Sequence, residues 1–123
     1  MFVVIKQPKL FDKLVIDDAF LDNFAREAAI SHQVSHTHVV PFVGAVFNPP
    51  HLCLVYAYMG GGSVEQVLLK QQQFSSSRKD DIKQVFQMAV DAAQGLSNMH
   101  EQGVIHRDIA TRNLLLDRQM RVW

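Results

Sequence analysis

The stretch that most constrains this chain lies at residues 106–113 and reads HRDIATRN. It puts a carboxylate, Asp108, and a carboxamide, Asn113, on one loop that leads into the apolar run 114–116. A carboxylate can orient an attacking hydroxyl and accept its proton, and an amide oxygen can hold a metal ion on phosphate groups. Either residue alone is more commonly a turn residue that bonds nearby backbone amides. Together, at this spacing, they suit phosphoryl transfer, and the rest of the chain must supply the elements that support the loop.

The rest of the chain alternates between two hydrophobic patterns. Continuous or β-branched apolar runs predict strands, whereas apolar residues that recur at three and four positions predict helices. Ser63 and Gln66 form a capping-box pattern at one helix start, and Gly103 is placed to end another helix. The polar segment 71–79 is expected to be an exposed connection, and residues 120–122 are expected to begin one more strand. The other predicted elements are strands at 2–6, 39–47, 51–58 and 114–116 and helices at 18–34, from 63 onwards and at 80–102.

A glycine run at residues 60–62 marks a change in character along the chain. Strands and one helix are predicted before it, and mainly helix after it, so two lobes joined at these glycines are the simplest arrangement. The run is not part of a G-x-G-x-x-G pattern, and no Gly-Lys follows it. We therefore interpret it as a flexible connection whose backbone approaches a ligand, rather than as a phosphate-binding loop.

Composition excludes several classes of protein. Apolar residues make up 48% and charged residues 20% of the chain, which is typical of a globular domain. Twelve basic residues balance twelve acidic ones, so nucleic acid and anionic membrane surfaces are not expected partners. Cys53 is the single cysteine, which fits a reducing compartment. No apolar stretch has the length of a membrane span and no basic leader precedes the first apolar run, so a cytoplasmic location is expected.

Residues 106–113 resemble the catalytic loop of eukaryotic protein kinases. Lys6 ends the run V-V-I-K, which is similar to the V-A-I-K strand of that family, and Glu27 lies on the next predicted helix, where the family keeps the glutamate that pairs with this lysine. The resemblance covers nearly the whole chain and implies an α+β, partial bilobal protein-kinase-like fold. Residues 1–59 would be an incomplete first lobe with a small antiparallel sheet and one helix. Residues 60–123 would be the hinge and a partial, mainly helical second lobe.

The resemblance implies a role for each polar residue of the loop. Asp108 would be the catalytic base, Asn113 would be a ligand of magnesium, and Arg112 would neutralise charge on the transferred phosphate. His106 would pack beneath the loop, and Arg107 would receive a phosphorylated activation segment. The implied cofactors are ATP and magnesium, and the implied partner is a protein substrate that presents a hydroxyl side chain.

A nucleotide site is implied by the residues that match the family before and after the glycine run. Lys6 would contact the phosphates, with Glu27 fixing the direction of its ammonium group, although either residue alone is commonly just solvated. For the adenine, the implied set is Tyr56 as the gatekeeper, the backbone carbonyl of Ala57, the backbone of Met59, and Leu115 against the ring.

The acceptor residue has one local clue. Serine/threonine kinases usually carry a lysine two residues after the catalytic aspartate, whereas this chain has Ala110 there and Arg112 two residues later. The sequence D-I-A-T-R-N is similar to the tyrosine-kinase loop D-L-A-A-R-N, which favours a tyrosine acceptor. The F-V-G-A stretch at residues 42–45 also resembles serine/threonine enzymes of the tyrosine-kinase-like group, so that alternative stays open.

Two features of the kinase family do not occur within these 123 residues, namely the glycine-rich loop over the phosphates and the D-F-G aspartate that holds magnesium. We therefore expect the 123 residues by themselves to be catalytically inactive and poorly soluble. A non-enzymatic alternative is a truncated kinase-like module that binds nucleotide or a partner protein.

Overall fold

The structure is a computed structural model, and it describes residues 2–8, 16–70 and 79–123. The predicted connection at 71–79 lies outside these residues except for Lys79, which begins a helix. Contacts divide the chain into unit 1, with Met1–Ser35 and Pro41–Tyr58, and unit 2, with His36–Val40 and Met59–Trp123. Among the described helices, none combines the length and the hydrophobicity that crossing a membrane requires. The elements in chain order are β1 (Val3–Lys6), α1 (Asp18–Gln33), β2 (Phe42–Asn48), β3 (His51–Ala57), β4 (Gly62–Ser63), α2 (Val64–Lys70), α3 (Lys79–Glu101), the 3-10 turn Thr111–Asn113 and β5 (Leu115–Leu116).

Unit 1 is an antiparallel sheet with one helix packed on it. The strand order is β1-β3-β2, and Lys6 lies opposite Leu54 in the β1–β3 register. Asp17 starts α1 because its carboxylate accepts a hydrogen bond from the backbone nitrogen of Phe20 at 2.8 Å. Phe24 of α1 is buried against Leu54 and the neighbouring Leu52. This arrangement confirms the predicted α+β class.

Unit 2 is built from two helices and a short strand pair. In β4 and β5, Ser63 lies opposite Leu115. Ser63 and Gln66 exchange hydrogen bonds of 3.0 and 3.1 Å between side chain and backbone, which confirms the predicted capping box. The core of the unit joins α2, α3 and the end of the chain through four buried residues, Val64, Met88, Leu116 and Val122. The assignment of residues 1–59 and 60–123 to two lobes stays a prediction.

The glycine run has a different role from the one that the sequence indicated. Gly61 donates its backbone N–H to the carbonyl oxygen of Leu116 at 2.7 Å, and Gly62 belongs to strand β4. A Cβ atom on Gly61 would come within 2.8 Å of the Leu116 side chain and carbonyl oxygen. The missing side chain therefore permits close strand packing against β5. The strand expected at 120–122 is reduced to a single β-bridge, which joins Val122 to Leu116.

A buried carboxylate fastens the end of the chain to α3. Asp91 is 0% exposed, and both of its oxygens accept hydrogen bonds from Arg121, each at 2.8 Å. Its other donors are the side chain of Gln87 at 2.8 Å and the backbone N–H of Val122 at 3.1 Å. The hydrogen bond from Arg121 is the main reason that the pKa of Asp91 lies well below its usual range. His38 adds a bond from its Nδ1 to the carbonyl oxygen of Val122 at 2.9 Å, so the loop 36–40 belongs to unit 2.

We expect the substitution Gly95→Ala to destabilise unit 2, by about 1–3 kcal/mol as for other overpacked sites. Gly95 lies in α3, where alanine would normally gain about 1 kcal/mol in helix propensity. Here, however, a Cβ atom would collide with the carbonyl group of His38. Urea denaturation measures the change, and Gly44→Ala is the matched control because nothing lies within 4 Å of a Cβ atom there. Equal stability of the two variants would contradict the expected collision.

Candidate active site

The HRDIATRN stretch forms a loop in unit 2 between the end of α3 and β5. Gly103 follows α3 with a φ of 74°, a left-handed conformation that glycine adopts without steric cost, and it turns the chain out of the helix. At its other end the loop enters the 3-10 turn Thr111–Asn113, which leads directly into β5. Elements of the same unit therefore hold the loop at both ends.

The three predicted catalytic side chains lie together on this loop. Nη2 of Arg112 donates to Oδ1 of Asp108 at 2.7 Å. Nδ2 of Asn113 donates to the Asp108 carbonyl oxygen at 2.9 Å and to its Oδ2 at 3.0 Å. Each carboxylate oxygen accepts one of these hydrogen bonds and keeps lone-pair capacity for a further donor. Because the Asp108 side chain is 62% exposed, an incoming hydroxyl can reach it.

The 3-10 turn explains why these side chains converge. The backbone N–H of Asn113 donates to the carbonyl oxygen of Ala110 at 2.9 Å, which closes a single tight turn. The turn carries Arg112 and Asn113 back towards Asp108, so that a guanidinium group and an amide fix the direction of one carboxylate. A carboxylate held in this way can act as a general base without first being reoriented.

The loop offers one oxygen ligand, the amide oxygen of Asn113, that suits a magnesium ion shared with phosphate groups. The amide nitrogen of Asn113 faces Asp108, which leaves the amide oxygen as the atom that can hold a cation. Oxygen ligands suit magnesium, which usually keeps several waters and takes other ligands from substrate phosphates. Within the described residues, no group of three or more His, Cys, Asp or Glu side chains is arranged to hold a metal ion. A cation at this loop would therefore depend on Asn113 and on the phosphates.

His106 differs from the sequence interpretation, whereas the role expected of Arg107 stays a prediction. His106 is exposed instead of packed beneath the loop, and its Nδ1 accepts a hydrogen bond from the backbone N–H of Asp108 at 3.1 Å. Arg107 has a φ of 71°, which is uncommon for a residue other than glycine, and no sequence signal indicated it. The histidine therefore supports the loop through a hydrogen bond to the backbone of Asp108.

The predicted pair of Lys6 and Glu27 forms in unit 1. Nζ of Lys6 lies 2.6 Å from Oε1 of Glu27, which joins the end of β1 to the middle of α1. The hydrogen bond with Glu27 raises the pKa of Lys6 above its ordinary value. The pair therefore keeps a positive charge in a fixed direction, as phosphate binding requires. Both side chains are well exposed, at 63% and 47%, so the pair itself contributes little stability.

The residues expected at an adenine ring fall in both units. Tyr56 and Ala57 end β3 in unit 1, whereas Met59 and Leu115 belong to unit 2. The backbone N–H of Ala57 donates to the carbonyl oxygen of Pro41 at 2.9 Å. The role of these four residues in binding adenine stays a prediction.

Sequence reasoning missed one partner of these residues. The hydroxyl groups of Tyr56 and Ser31 lie 3.0 Å apart, within hydrogen-bond distance. Ser31 lies on α1, four residues after Glu27, and residues at that spacing share one face of a helix. That spacing was the only signal that could have pointed to Ser31, because a serine in a helix is usually solvated.

Comparisons with known proteins identify relatives of this chain. The family model described as protein tyrosine and serine/threonine kinase matches residues 3–123. The serine/threonine-protein kinase STY46 of Arabidopsis thaliana is 39% identical over 102 residues, which cover 83% of this chain and 17% of that protein. The serine/threonine/tyrosine-protein kinase HT1 of the same plant is 37% identical over 99 residues, covering 80% of this chain and 24% of HT1. The human serine/threonine-protein kinase TNNI3K is 36% identical over 99 residues, covering 78% of this chain and 11% of its own length.

The chain thus spans less than a quarter of the length of these relatives. The match nevertheless runs from the strand that carries Lys6 to Trp123, beyond the loop that carries Asp108. Over that range the matched residues form a small antiparallel sheet with helices, which is consistent with a partial kinase-like α+β fold. The chain therefore belongs to the family of protein tyrosine and serine/threonine kinases.

Proposed function

We propose that this chain, within a protein that also supplies a glycine-rich loop and a D-F-G aspartate, transfers the γ-phosphoryl group of ATP to a hydroxyl side chain of a protein substrate, in a reducing compartment such as the cytoplasm. The observation that carries this proposal is the geometry of Asp108. Its carboxylate is exposed, and Arg112 and Asn113 hold its two oxygens at 2.7 and 3.0 Å. That arrangement supports a fixed general base beside a metal ligand, as phosphoryl transfer requires.

The loop residues divide the work of the reaction. Asp108 accepts the proton of the substrate hydroxyl as that oxygen bonds to the γ-phosphorus and the bond to the ADP oxygen breaks. Arg112, already directed at Asp108, supplies positive charge beside the transferred group. Asn113 would hold the magnesium ion through its amide oxygen. Magnesium, when bound, neutralises the negative charge of the phosphates.

Unit 1 supplies charge for the nucleotide. Lys6 would contact the phosphates, and Glu27, at 2.6 Å, would fix the direction of its ammonium group. We further propose that the adenine is recognised by the backbone of Ala57 and Met59. Tyr56 as the gatekeeper and Leu115 against the ring complete this proposed set.

Serine or threonine is the acceptor that the relatives support, since STY46 and TNNI3K are both named serine/threonine-protein kinases. Tyrosine is a second candidate, and a specific observation favours it. The positive charge beside Asp108 comes from Arg112, which reaches its carboxylate from four residues further along the chain. Ala110, which has no charged side chain, leaves space for a larger phenol.

An assay with three matched peptides tests both parts of the proposal. A protein that contains these residues together with a glycine-rich loop and a D-F-G aspartate would be incubated with radiolabelled ATP, magnesium and peptides that differ only in a central serine, threonine or tyrosine. The 123 residues alone, which are expected to be inactive, are the control. We expect label on the serine or threonine peptide, identified by phosphoamino-acid analysis. Transfer to tyrosine alone would overturn the serine/threonine assignment and favour the second candidate. Nucleotide binding without transfer to any peptide would contradict the enzymatic function and favour the non-enzymatic alternative.

A further inference from the structure

Besides the apolar packing of Phe24, two polar side-chain contacts join α1 to the sheet of unit 1, and only one of them uses charged groups. The first is the pair of Lys6 and Glu27, with its 2.6 Å distance. The second is the 3.0 Å hydrogen bond between the hydroxyl groups of Ser31 and Tyr56. Both residues of the second contact are partly buried, whereas Lys6 and Glu27 are well exposed.

The two contacts are matched in spacing along the helix and along the strands. Glu27 and Ser31 lie four residues apart, which is about 6 Å along a helix. In the sheet, Tyr56 lies opposite Val4, two residues before Lys6, which is about 7 Å along a strand. The apolar packing of Phe24 holds the helix on the sheet. The two polar contacts, about one helical turn apart, restrict its rotation further.

The hydrogen bond between Ser31 and Tyr56 is expected to be more persistent than the ion pair of Lys6 and Glu27. Ion pairs between exposed side chains are weak, since water and salt screen them and two long side chains must be ordered. The hydroxyl bond lies in a partly buried position, where water competes less. The ring of Tyr56 is also fixed by an edge contact with Phe42, with ring centres 5.5 Å apart. The hydroxyl of Tyr56 is therefore presented to α1 from a rigid ring.

We propose that Ser31 and Tyr56 are positioning residues that hold α1 in the orientation in which Glu27 meets Lys6. Their consequence for catalysis rests on the proposed function, but their effect on the Lys6–Glu27 pair does not. The hydroxyl of Tyr56 thus has a role that is separate from the size of the ring, and phenylalanine cannot replace it.

The reactivity of Lys6 reports on the pair without any need for enzyme activity. An acylating reagent attacks only the neutral amine, and the hydrogen bond with Glu27 raises the pKa of Lys6. Acylation of the full chain by sulfo-N-hydroxysuccinimidyl acetate would be followed by peptide mapping in a mass spectrometer. The exposed Lys83 of α3 serves as the internal reference.

We expect Tyr56→Phe and Ser31→Ala each to speed acylation of Lys6 by about two- to tenfold, the range that the loss of one hydrogen bond corresponds to. The double variant should match Tyr56→Phe, and Ser31→Ala is the decisive single variant, because Tyr56 also raises the pKa of Lys6 directly. Glu27→Gln sets the upper limit. Tyr58→Phe and Ser35→Ala are the matched controls, since each makes the same chemical change at an exposed position, and neither should alter Lys6.

The inference is overturned if Tyr56→Phe and Ser31→Ala leave the acylation of Lys6 unchanged while Glu27→Gln raises it. It is also overturned if Glu27→Gln has no effect, because the pair would then not exist in solution. A parallel kinase assay keeps the two proposals distinct. If the longer protein of the peptide assay transfers no phosphate, the proposed function fails, and the acylation rates still decide the role of Ser31 and Tyr56. If it is active, Tyr56→Phe should lower kcat, and Tyr58→Phe should not.

Discussion

Replacing Asp108 with asparagine should lower kcat by about 10²- to 10⁴-fold, the contribution of a positioned general base. The carboxamide keeps the shape of the side chain, and its oxygen can still accept the hydrogen bond from Arg112. It cannot accept the proton of a substrate hydroxyl at neutral pH, so the loss falls on the chemical step. The KM for ATP should change little, because this side chain is not among those proposed to bind the nucleotide. Steady-state kinetics on the peptide that the acceptor assay selects gives both constants.

A matched control for Asp108→Asn is Asp80→Asn, the same change on an exposed side chain in the first turn of α3. It should leave kcat unchanged. The prediction would be contradicted if Asp108→Asn retained the kcat of the unmodified protein while its thermal unfolding was also unchanged. If Asp108→Asn loses both activity and folding, Asp108→Ala and Asp108→Glu are measured instead. The glutamate variant should recover part of kcat if the carboxylate acts as a base.

Much of this architecture could be predicted because its signals are local. The apolar spacing of α3 predicted a helix at 80–102, and the structure has it at Lys79–Glu101. The capping box at Ser63 depends on residues only three positions apart, and its hydrogen bonds follow directly. The convergence on Asp108 is local in the same sense, since Arg112 and Asn113 lie within five residues of it.

The long-range contacts needed more than the sequence pattern. Lys6 and Glu27 are 21 positions apart, and their pairing was expected only through a resemblance to known kinases. Tyr56 and Ser31 are 25 positions apart and had no such guide. Hydrophobic periodicity identifies which face of an element is buried, but it does not identify which polar groups meet across two elements.

Asp91 is the clearest example of a residue whose importance the sequence concealed. Within α3 it reads as one more polar residue between Val90 and Ala92, and helices commonly carry such residues in solvent. The structure buries it completely, because Arg121, 30 positions away, supplies the compensating charge. A charge can be buried only with partners, and those partners lie in a part of the chain that no periodic pattern links to α3.

We expect Asp91→Asn to lower the free energy of unfolding by about 3 kcal/mol, at the lower end of the range for breaking a buried ion pair. Asp91 accepts hydrogen bonds from Arg121, Gln87 and the backbone of Val122. In the variant, the N–H₂ group of asparagine would face some of these donors in place of a carboxylate oxygen. The lower end applies because the Arg121 side chain is 45% exposed and can turn to water. Urea denaturation followed by the fluorescence of Trp123, the only tryptophan of the chain, measures the change.

The same ion pair makes the loss dependent on pH, which separates it from a simple packing defect. Because the folded pKa of Asp91 is lowered, chiefly by Arg121, its stabilisation is present above the unfolded pKa of about 3.9 and is lost as pH falls towards the folded value. The stability difference between the unmodified protein and Asp91→Asn should therefore shrink below about pH 4. Asp80→Asn, the same change on an exposed side chain, is the matched control. If the difference in the free energy of unfolding between the unmodified protein and Asp91→Asn were the same at pH 3 and pH 7, Asp91 would stabilise unit 2 through its shape and not through its charge.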